Sequence, residues 1–274
     1  MRELGYIEGT NLAIEWRFAE GQYDRLPGLA TELARAKVDI IVAGTTLSVQ
    51  AARQAIPGIP IVMVAVPDPV GEGFIARLAR PGGNVTGLSS IVTEVSAKHL
   101  ELLRTISPKL ARVAVLTNPQ NPSDALILEQ IQGAAYPRGV KVLAVEASTA
   151  SQIEAGFASM KRAGSEALIV SADPYFEMQR DHIAKLALAL RIPAISSSRE
   201  LTQAGALMSY GQDPAEHYRR AASYVDRILK GAKPGSLPVE QPTVLELVIN
   251  RSSAKSLGFT VPQELLLRAN RVIE

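Results

Sequence analysis

Short apolar, β-branched runs bounded by turn residues recur along the chain, and each is followed by a longer stretch in which apolar residues return every three or four positions. That alternation predicts strands over 11–18, 38–44, 60–66, 85–89, 112–117, 140–147, 167–172, 194–197, 206–210 and 243–249. It predicts helices over 23–36, 46–55, 72–79, 93–106, 123–136, 151–163, 175–190, 213–230 and 251–257. Runs such as Asp39-Ile-Ile-Val-Ala43 and Ala167-Leu-Ile-Val170 are apolar on both faces, which suits parallel strands covered by helices on either side. The expected class is therefore α/β. Ten strands strain the capacity of one open sheet, so two sheets of about five are expected. One break falls at Thr105-Ile-Ser-Pro-Lys-Leu-Ala111, before a fresh first strand, and a second at the Gly- and Pro-rich Lys230–Pro238.

Composition narrows the choice. The chain has 274 residues, 47% hydrophobic and 20% charged, which excludes a disordered chain and leaves room for two domains with real cores. The longest apolar stretch, Ile59 to Val66, is far short of the roughly 18 residues a transmembrane helix needs. Basic and acidic groups, 29 against 27, are interspersed, so there is no basic stripe and nucleic acid is not an expected partner. The absence of cysteine removes thiol catalysis, disulfides and thiolate metal sites together.

In open parallel sheets ligands bind beyond the carboxyl ends of the strands. Those positions carry small polar groups here: Gly44-Thr45-Thr46, Pro67-Asp68-Pro69, Asn118-Pro119, Asp173-Pro174-Tyr175 and Ser197-Ser198. Each has a plain structural role open to it, as a turn starter or helix N-cap. As a set they also suit a ligand. Thr45 and Thr46 open a helix whose unpaired N–H groups favour a carboxylate, and Asp68 and Asp173 suit an ammonium. Tyr175, Phe176 and Tyr210 stand at strand ends, where a ring either stacks on a ligand or packs in place, whereas Trp16 and Phe18 share one face of the first strand with Leu12 and Ile14 and are expected in the core.

Catalytic templates fail. Gly71-Glu-Gly73-Phe-Ile-Ala76 has the letters of a dinucleotide fingerprint but is separated from its strand by Pro67–Val70. No P-loop and no nucleophile elbow occurs. His99, His182 and His217 lie among charged residues of predicted helices and are expected on solvated faces, with no spacing that suggests a metal. No cofactor, metal or catalytic residue is expected.

Five segments in order resemble one family: Arg2-Glu-Leu-Gly-Tyr-Ile-Glu-Gly-Thr-Asn11, Asp68-Pro-Val-Gly-Glu-Gly73, Ala79-Arg-Pro-Gly-Gly-Asn-Val-Thr-Gly87, Leu237-Pro-Val-Glu-Gln-Pro242 and Asn250-Arg-Ser-Ser-Ala-Lys-Ser-Leu-Gly258. They look like the solute-binding proteins of the TrpX-like ABC transporter family, over essentially the whole chain. The resemblance implies a type I periplasmic binding protein fold: two Rossmann-like lobes with parallel sheets, joined by three crossovers and closing by hinge bending on a solute. It implies lobes at 1–108 plus 210–236 and at 109–209 plus 237–274. It implies ligand contacts at Gly44, Thr45, Thr46, Asp68, Asn118, Asp173, Ser197 and Tyr210, to which the strand-end reading adds Tyr175. An aromatic or other apolar amino acid is the implied solute, an ABC permease the implied partner, and a monomer in the periplasm or anchored outside the cytoplasm the implied state. A regulator core of the LacI type and an α/β enzyme with an unrecognised site are the alternatives.

The beginning departs from that pattern. Members of the family carry an export signal, a strand and a helix before the Arg-Glu-Leu-Gly-Tyr segment, whereas Met1–Gly9 has neither the basic start nor the apolar core of a signal. Either the chain starts late or another segment takes the place of that strand.

Overall fold

The predicted alternation of strands and helices is largely what the computed structural model contains, and it describes residues 1–241 and 243–274. Pro242, the last residue of the Leu237–Pro242 motif, lies outside the described residues. In order, the first stretch carries α1 (Leu26–Arg35), β1 (Ile41–Ala43), α2 (Thr46–Ala55), β2 (Ile61–Val66) and β3 (Val85–Ser89). Then come α3 (Val92–Ile106), β4 (Arg112–Thr117), α4 (Pro122–Ala135), β5 (Lys141–Glu146), α5 (Ala150–Ala163) and β6 (Ala167–Val170). They are followed by α6 (Pro174–Met178), α7 (Arg180–Ala189), β7 (Ala194–Ser196), α8 (Arg199–Gln203) and β8 (Met208–Gly211). The chain continues with α9 (Pro214–Leu229), β9 (Glu246–Asn250), α10 (Arg251–Leu257), α11 (Gln263–Arg268) and β10 (Arg271–Ile273).

These elements form two units, Met1–Ile91 with Asp213–Thr243, and Val92–Gln212 with Val244–Glu274. The first holds a three-stranded parallel sheet, β1-β2-β3. The second holds a seven-stranded sheet, β10-β9-β8-β7-β6-β4-β5, parallel except where β8 meets β9. Among the described residues the ten strands therefore divide three and seven rather than evenly. The first unit's opening segment stops at Ile91 instead of 108 because α3 sends Leu100, Leu103 and Ile106 into the core of the second.

Strand 11–18 is not formed. Its alternation is real, but a strand also needs a neighbour for its backbone groups, and in this stretch there is only an isolated bridge from Glu8 to Leu12. Trp16 and Phe18 accordingly stack on each other at 5.8 Å while remaining 62% and 63% exposed, not in the core. The helix expected over 72–79 is a run of turns: Gly71 N–H donates to Asp68 Oδ1, Gly73 N–H to the Val70 carbonyl, and Gly73 adopts a φ of 66°. The helix expected over 175–190 breaks at Gln179 into α6 and α7, and α8, α11 and β10 were not legible in the pattern.

Strand alternation divides the second core cleanly. Val113 and Val115 of β4 with Ala167 and Ile169 of β6 enter one cluster; Ala114 and Leu116 with Leu168 and Val170 enter the other. Both faces are buried, as the continuous apolar runs require. In the first unit, Ile61 and Met63 face α2 residues Val49 and Ala52, while Val62 and Val64 face Tyr224 and Ile228 of α9. Gly87 in β3 has a φ of 120°, and a side chain there would overlap the Met63 carbonyl of β2, so this close strand pairing requires glycine. Helices start where sequence chemistry says: Thr45, Asn121, Thr149, Asp173, Asp213 and Asn250 each cap the helix that follows.

Candidate functional site

The predicted site residues lie at or within three residues of a strand end, except Tyr175, which is the second residue of α6, and the two units use them differently. In the first, Thr45 ends the β1 turn and caps α2. Its hydroxyl accepts the Ser48 N–H at 3.2 Å, and Ser48 Oγ accepts the Thr45 N–H at 2.9 Å, a reciprocal box. Thr46, at the first helical position, is buried. Gly44 has the Tyr218 hydroxyl of α9 within 2.9 Å of the point where a side chain would begin, so a larger residue there must displace that tyrosine. Asp68 is exposed, and the 2.8 Å bond from Gly71 makes it an Asx turn.

In the second unit the strand ends converge. Asp173, capping α6, is only 2% exposed, and its Oδ1 accepts from Tyr175 N–H at 2.9 Å and from Asn118 Nδ2 at 3.2 Å. Asn121 Nδ2 donates to its Oδ2 at 3.0 Å. Asn118, 1% exposed at the end of β4, is held in turn by its own N–H, which donates to Asp124 Oδ2 at 2.6 Å. Ser171 Oγ, at the end of β6, donates to that same Asp124 oxygen at 2.6 Å. Burial pushes the Asp124 carboxyl up to about 7; the bonds from Ser171 and Asn118 oppose that rise, and the charge of Asp173 adds to it. Tyr175 packs at a tilt on Phe176, and burial followed by the charge of Asp173 raises its hydroxyl.

Ser197 is half-buried after β7, and its carbonyl lies so close to Gly211 that only glycine fits there. Its neighbour Ser198 caps α8 and donates to Glu177 Oε2 at 2.8 Å; burial raises the Glu177 carboxyl, with the Ser198 bond opposing. Tyr210 is half-buried against the core in β8, and its carbonyl accepts from His99 Nε2 at 2.7 Å.

Two of the histidines depart from expectation. His99 and His217, expected on solvated helix faces, are 2% and 7% exposed. Each ties a helix to a strand end: His99 joins α3 to β8, and His217 Nδ1 donates to the Val64 carbonyl of β2 at 3.0 Å, joining α9 to that strand. Desolvation lowers His99 to about 4, against the bond to Tyr210. Neutral histidine offers one donor and one acceptor, which is why it serves as a buried strut while surrounded in sequence by charge. His182 is half-buried, 3.5 Å from Glu154. Among the described residues no group of three potential metal ligands assembles, and no helix is long and apolar enough to cross a membrane.

Sequence reasoning missed Asp124, Asn121 and Ser171. The doubled Asn-Pro of Asn118-Pro-Gln-Asn-Pro-Ser-Asp124 was the available signal.

Comparison with known proteins places these observations. The family model described as ABC transporter substrate binding protein matches residues 1–273. A tyrosine-binding protein of Clostridioides difficile is 29% identical over 259 residues, covering 94% of this chain and 74% of that protein. A conserved domain protein from Vibrio cholerae superposes with a TM-score of 0.93 at 29% identity, covering 99% of this chain and 90% of that one. An ABC domain from Streptococcus pneumoniae, crystallised with L-Trp, shares the fold at a TM-score of 0.91 and 24% identity, covering 99% and 91% of the two chains.

Proposed function

The chain belongs to the family of ABC transporter substrate-binding proteins, and from that premise we propose that its solute is an α-amino acid with an aromatic or other apolar side chain. The family works outside the cytoplasm, takes up a small-molecule solute and delivers it to a membrane permease; its members are receptors rather than enzymes. In our reading this chain performs no chemistry on its solute, acts as a monomer in the periplasm or anchored to the outer side of a membrane, and has no nucleic-acid partner.

The observation that carries the amino-acid reading is Asp173, a buried carboxylate held in one orientation by Asn118, Asn121 and the Tyr175 N–H. Such a group suits an ammonium. The first turn of α2 at Thr45 and Thr46 offers N–H donors and a positive dipole end to a carboxylate. Tyr175 and Tyr210 supply rings for an apolar side chain, and Gly44, Asp68, Asn118 and Ser197 complete the proposed set. Similarity to a tyrosine-binding protein supports the aromatic choice.

The test is thermal denaturation of the full chain with L-tyrosine, L-tryptophan, L-phenylalanine and L-leucine, beside the matching carboxylic acids that lack the amino group. A ligand of the native state at a hundred times its Kd adds about 2.7 kcal/mol. Aromatic amino acids should raise Tm and the amine-free acids should not. Thr45→Ala and Asp173→Asn should each weaken binding while the far-ultraviolet circular dichroism is unchanged; retained affinity in both defeats the proposed residues.

A further inference from the structure

Asp124 occupies the third position of α4, after the cap Asn121 and Pro122. An acidic residue there ordinarily reaches back to the backbone N–H of its own cap. Asp124 instead spends one oxygen on two partners from different strand ends, the Asn118 N–H after β4 and the Ser171 hydroxyl after β6, both at 2.6 Å. Its second oxygen, Oδ1, is out of solvent and makes no hydrogen bond. The residue is 2% exposed, as is Asp173. A buried carboxylate with one oxygen doubly bonded and the other unbonded is held for a reason other than local helix stability.

The connection runs onward. Asn118, whose backbone Asp124 fixes, donates its side-chain amide to Asp173 Oδ1, and accepts the Gln120 N–H through its own oxygen, so its amide has one usable orientation. Asn121, one turn before Asp124, donates to the other oxygen of Asp173. Two carboxylates thus share Asn118 as a bridge, with Asp124 behind and Asp173 in front. The charged groups on elements packed around α4 are Arg112 of β4, Lys141 and Glu146 of β5, Glu94, Lys98, Glu101 and Arg104 of α3, Arg138 of the short helical turn that follows α4, and Asp173; His99 of α3 is neutral and engaged with Tyr210. Arg112 pairs with Glu166, and Lys98 with Glu101. Of all of these, Asp173 is the charged group that acts on Asp124.

We propose that Asp124 is the positioning residue of this strand-end group, setting Asn118 and through it Asp173, and that its carboxyl proton leaves when an ammonium is taken up beside Asp173. The inference rests on the amino-acid reading above. Two neighbouring buried carboxylates resist double ionisation, and a cation at one relieves that resistance at the other. The carboxyl's position near 7 puts the exchange in an accessible range. Proton release on binding means that affinity rises with pH.

Titration calorimetry of the full chain with L-tyrosine, in phosphate and in Tris across about pH 6 to about pH 8, reads both quantities. Affinity should rise about threefold to tenfold across that range, and the heats in the two buffers should differ by a fraction of a proton released near neutrality. Asp124→Asn keeps an amide oxygen for Asn118 and Ser171 but carries no titrating proton, so whatever its affinity for L-tyrosine, its pH profile should be flat and its heats free of buffer dependence. Ser171→Ala, which removes one bond favouring the ionised form, should move the rise to higher pH. A merely structural Asp124 predicts altered Tm in these variants with the parent's pH profile intact. A flat or falling profile in the parent, or the parent's slope persisting in Asp124→Asn, overturns the inference while leaving the amino-acid reading in place. No binding by any aromatic amino acid overturns that reading, and the inference with it.

Discussion

The first unit's polar residues after β1 and β2 resemble, in sequence, those that follow β4 and β6 in the other unit, yet the two sets bond over very different distances along the chain. Thr45 and Asp68 bond to groups three residues away, Ser48 and Gly71. Asn118 and Asp173 are 55 residues apart, and Ser171 reaches Asp124 across 47. Local bonds leave a residue replaceable by any group that caps or turns. Bonds between strand ends make several residues depend on one another, inside the fold, where an unmet polar group costs more.

The sharpest way to break that comparison is to delete the shared acceptor. Asp124→Ala strands a buried N–H and a buried hydroxyl, and should cost about 2 to 4 kcal/mol in urea denaturation at neutral pH. A cost no larger than that of a cap would mean that the second unit's network is as local as the first's.

Next in size is a pH effect with two opposing parts. Stability rises with pH wherever the unfolded chain binds more protons than the folded one. His99, lowered to about 4 in the fold, binds a proton in the unfolded chain first, so its contribution is lost as pH falls from about 6.5 to about 4, by about 3 kcal/mol. Asp124, raised to about 7, holds its proton in the fold where the unfolded chain has released it. Its contribution therefore falls as pH rises from about 4 to about 7, by a similar amount. The two slopes oppose each other, and the parent should be nearly flat between about pH 4 and pH 6.5 on their account. Asp124→Asn should uncover acid sensitivity, and His99→Gln should uncover the reverse slope. Denaturation midpoints at a series of pH values read both; identical slopes in the two variants would contradict the assignment.

The smallest effects belong to the first unit. Thr45→Ala should cost about 1 kcal/mol through loss of the cap, and Asp68→Ala, exposed and in a turn, about 0.5 kcal/mol or less.

Much of the fold was legible because its signals are local. Apolar residues returning every three or four positions marked α2, α4, α5 and α9, and apolar runs marked β2, β4 and β6, since a parallel strand buried on both faces has no polar side to hide it. The errors came where local pattern met a missing or unexpected neighbour. Residues 11–18 alternate as a strand should but find no ladder, so Trp16 and Phe18 stay outside. Gly71 and Gly73 turn a segment that reads as helical, and β10 is too short to announce itself except by pairing with β9.

The candidate site divides along the same line. The positions of Thr45, Asn118, Asp173 and Tyr210 followed from strand ends alone, and the resemblance to solute-binding proteins followed from motifs in order. That Asp124 lies beneath Asn118, and that His99 and His217 are buried struts rather than surface groups, followed from neither. Which turns and caps form is set by a residue and its next few neighbours, so the sequence alone determined them. Which polar groups lose water and become each other's partners depends on strands and helices brought together from far along the chain, and only the tertiary structure decides that.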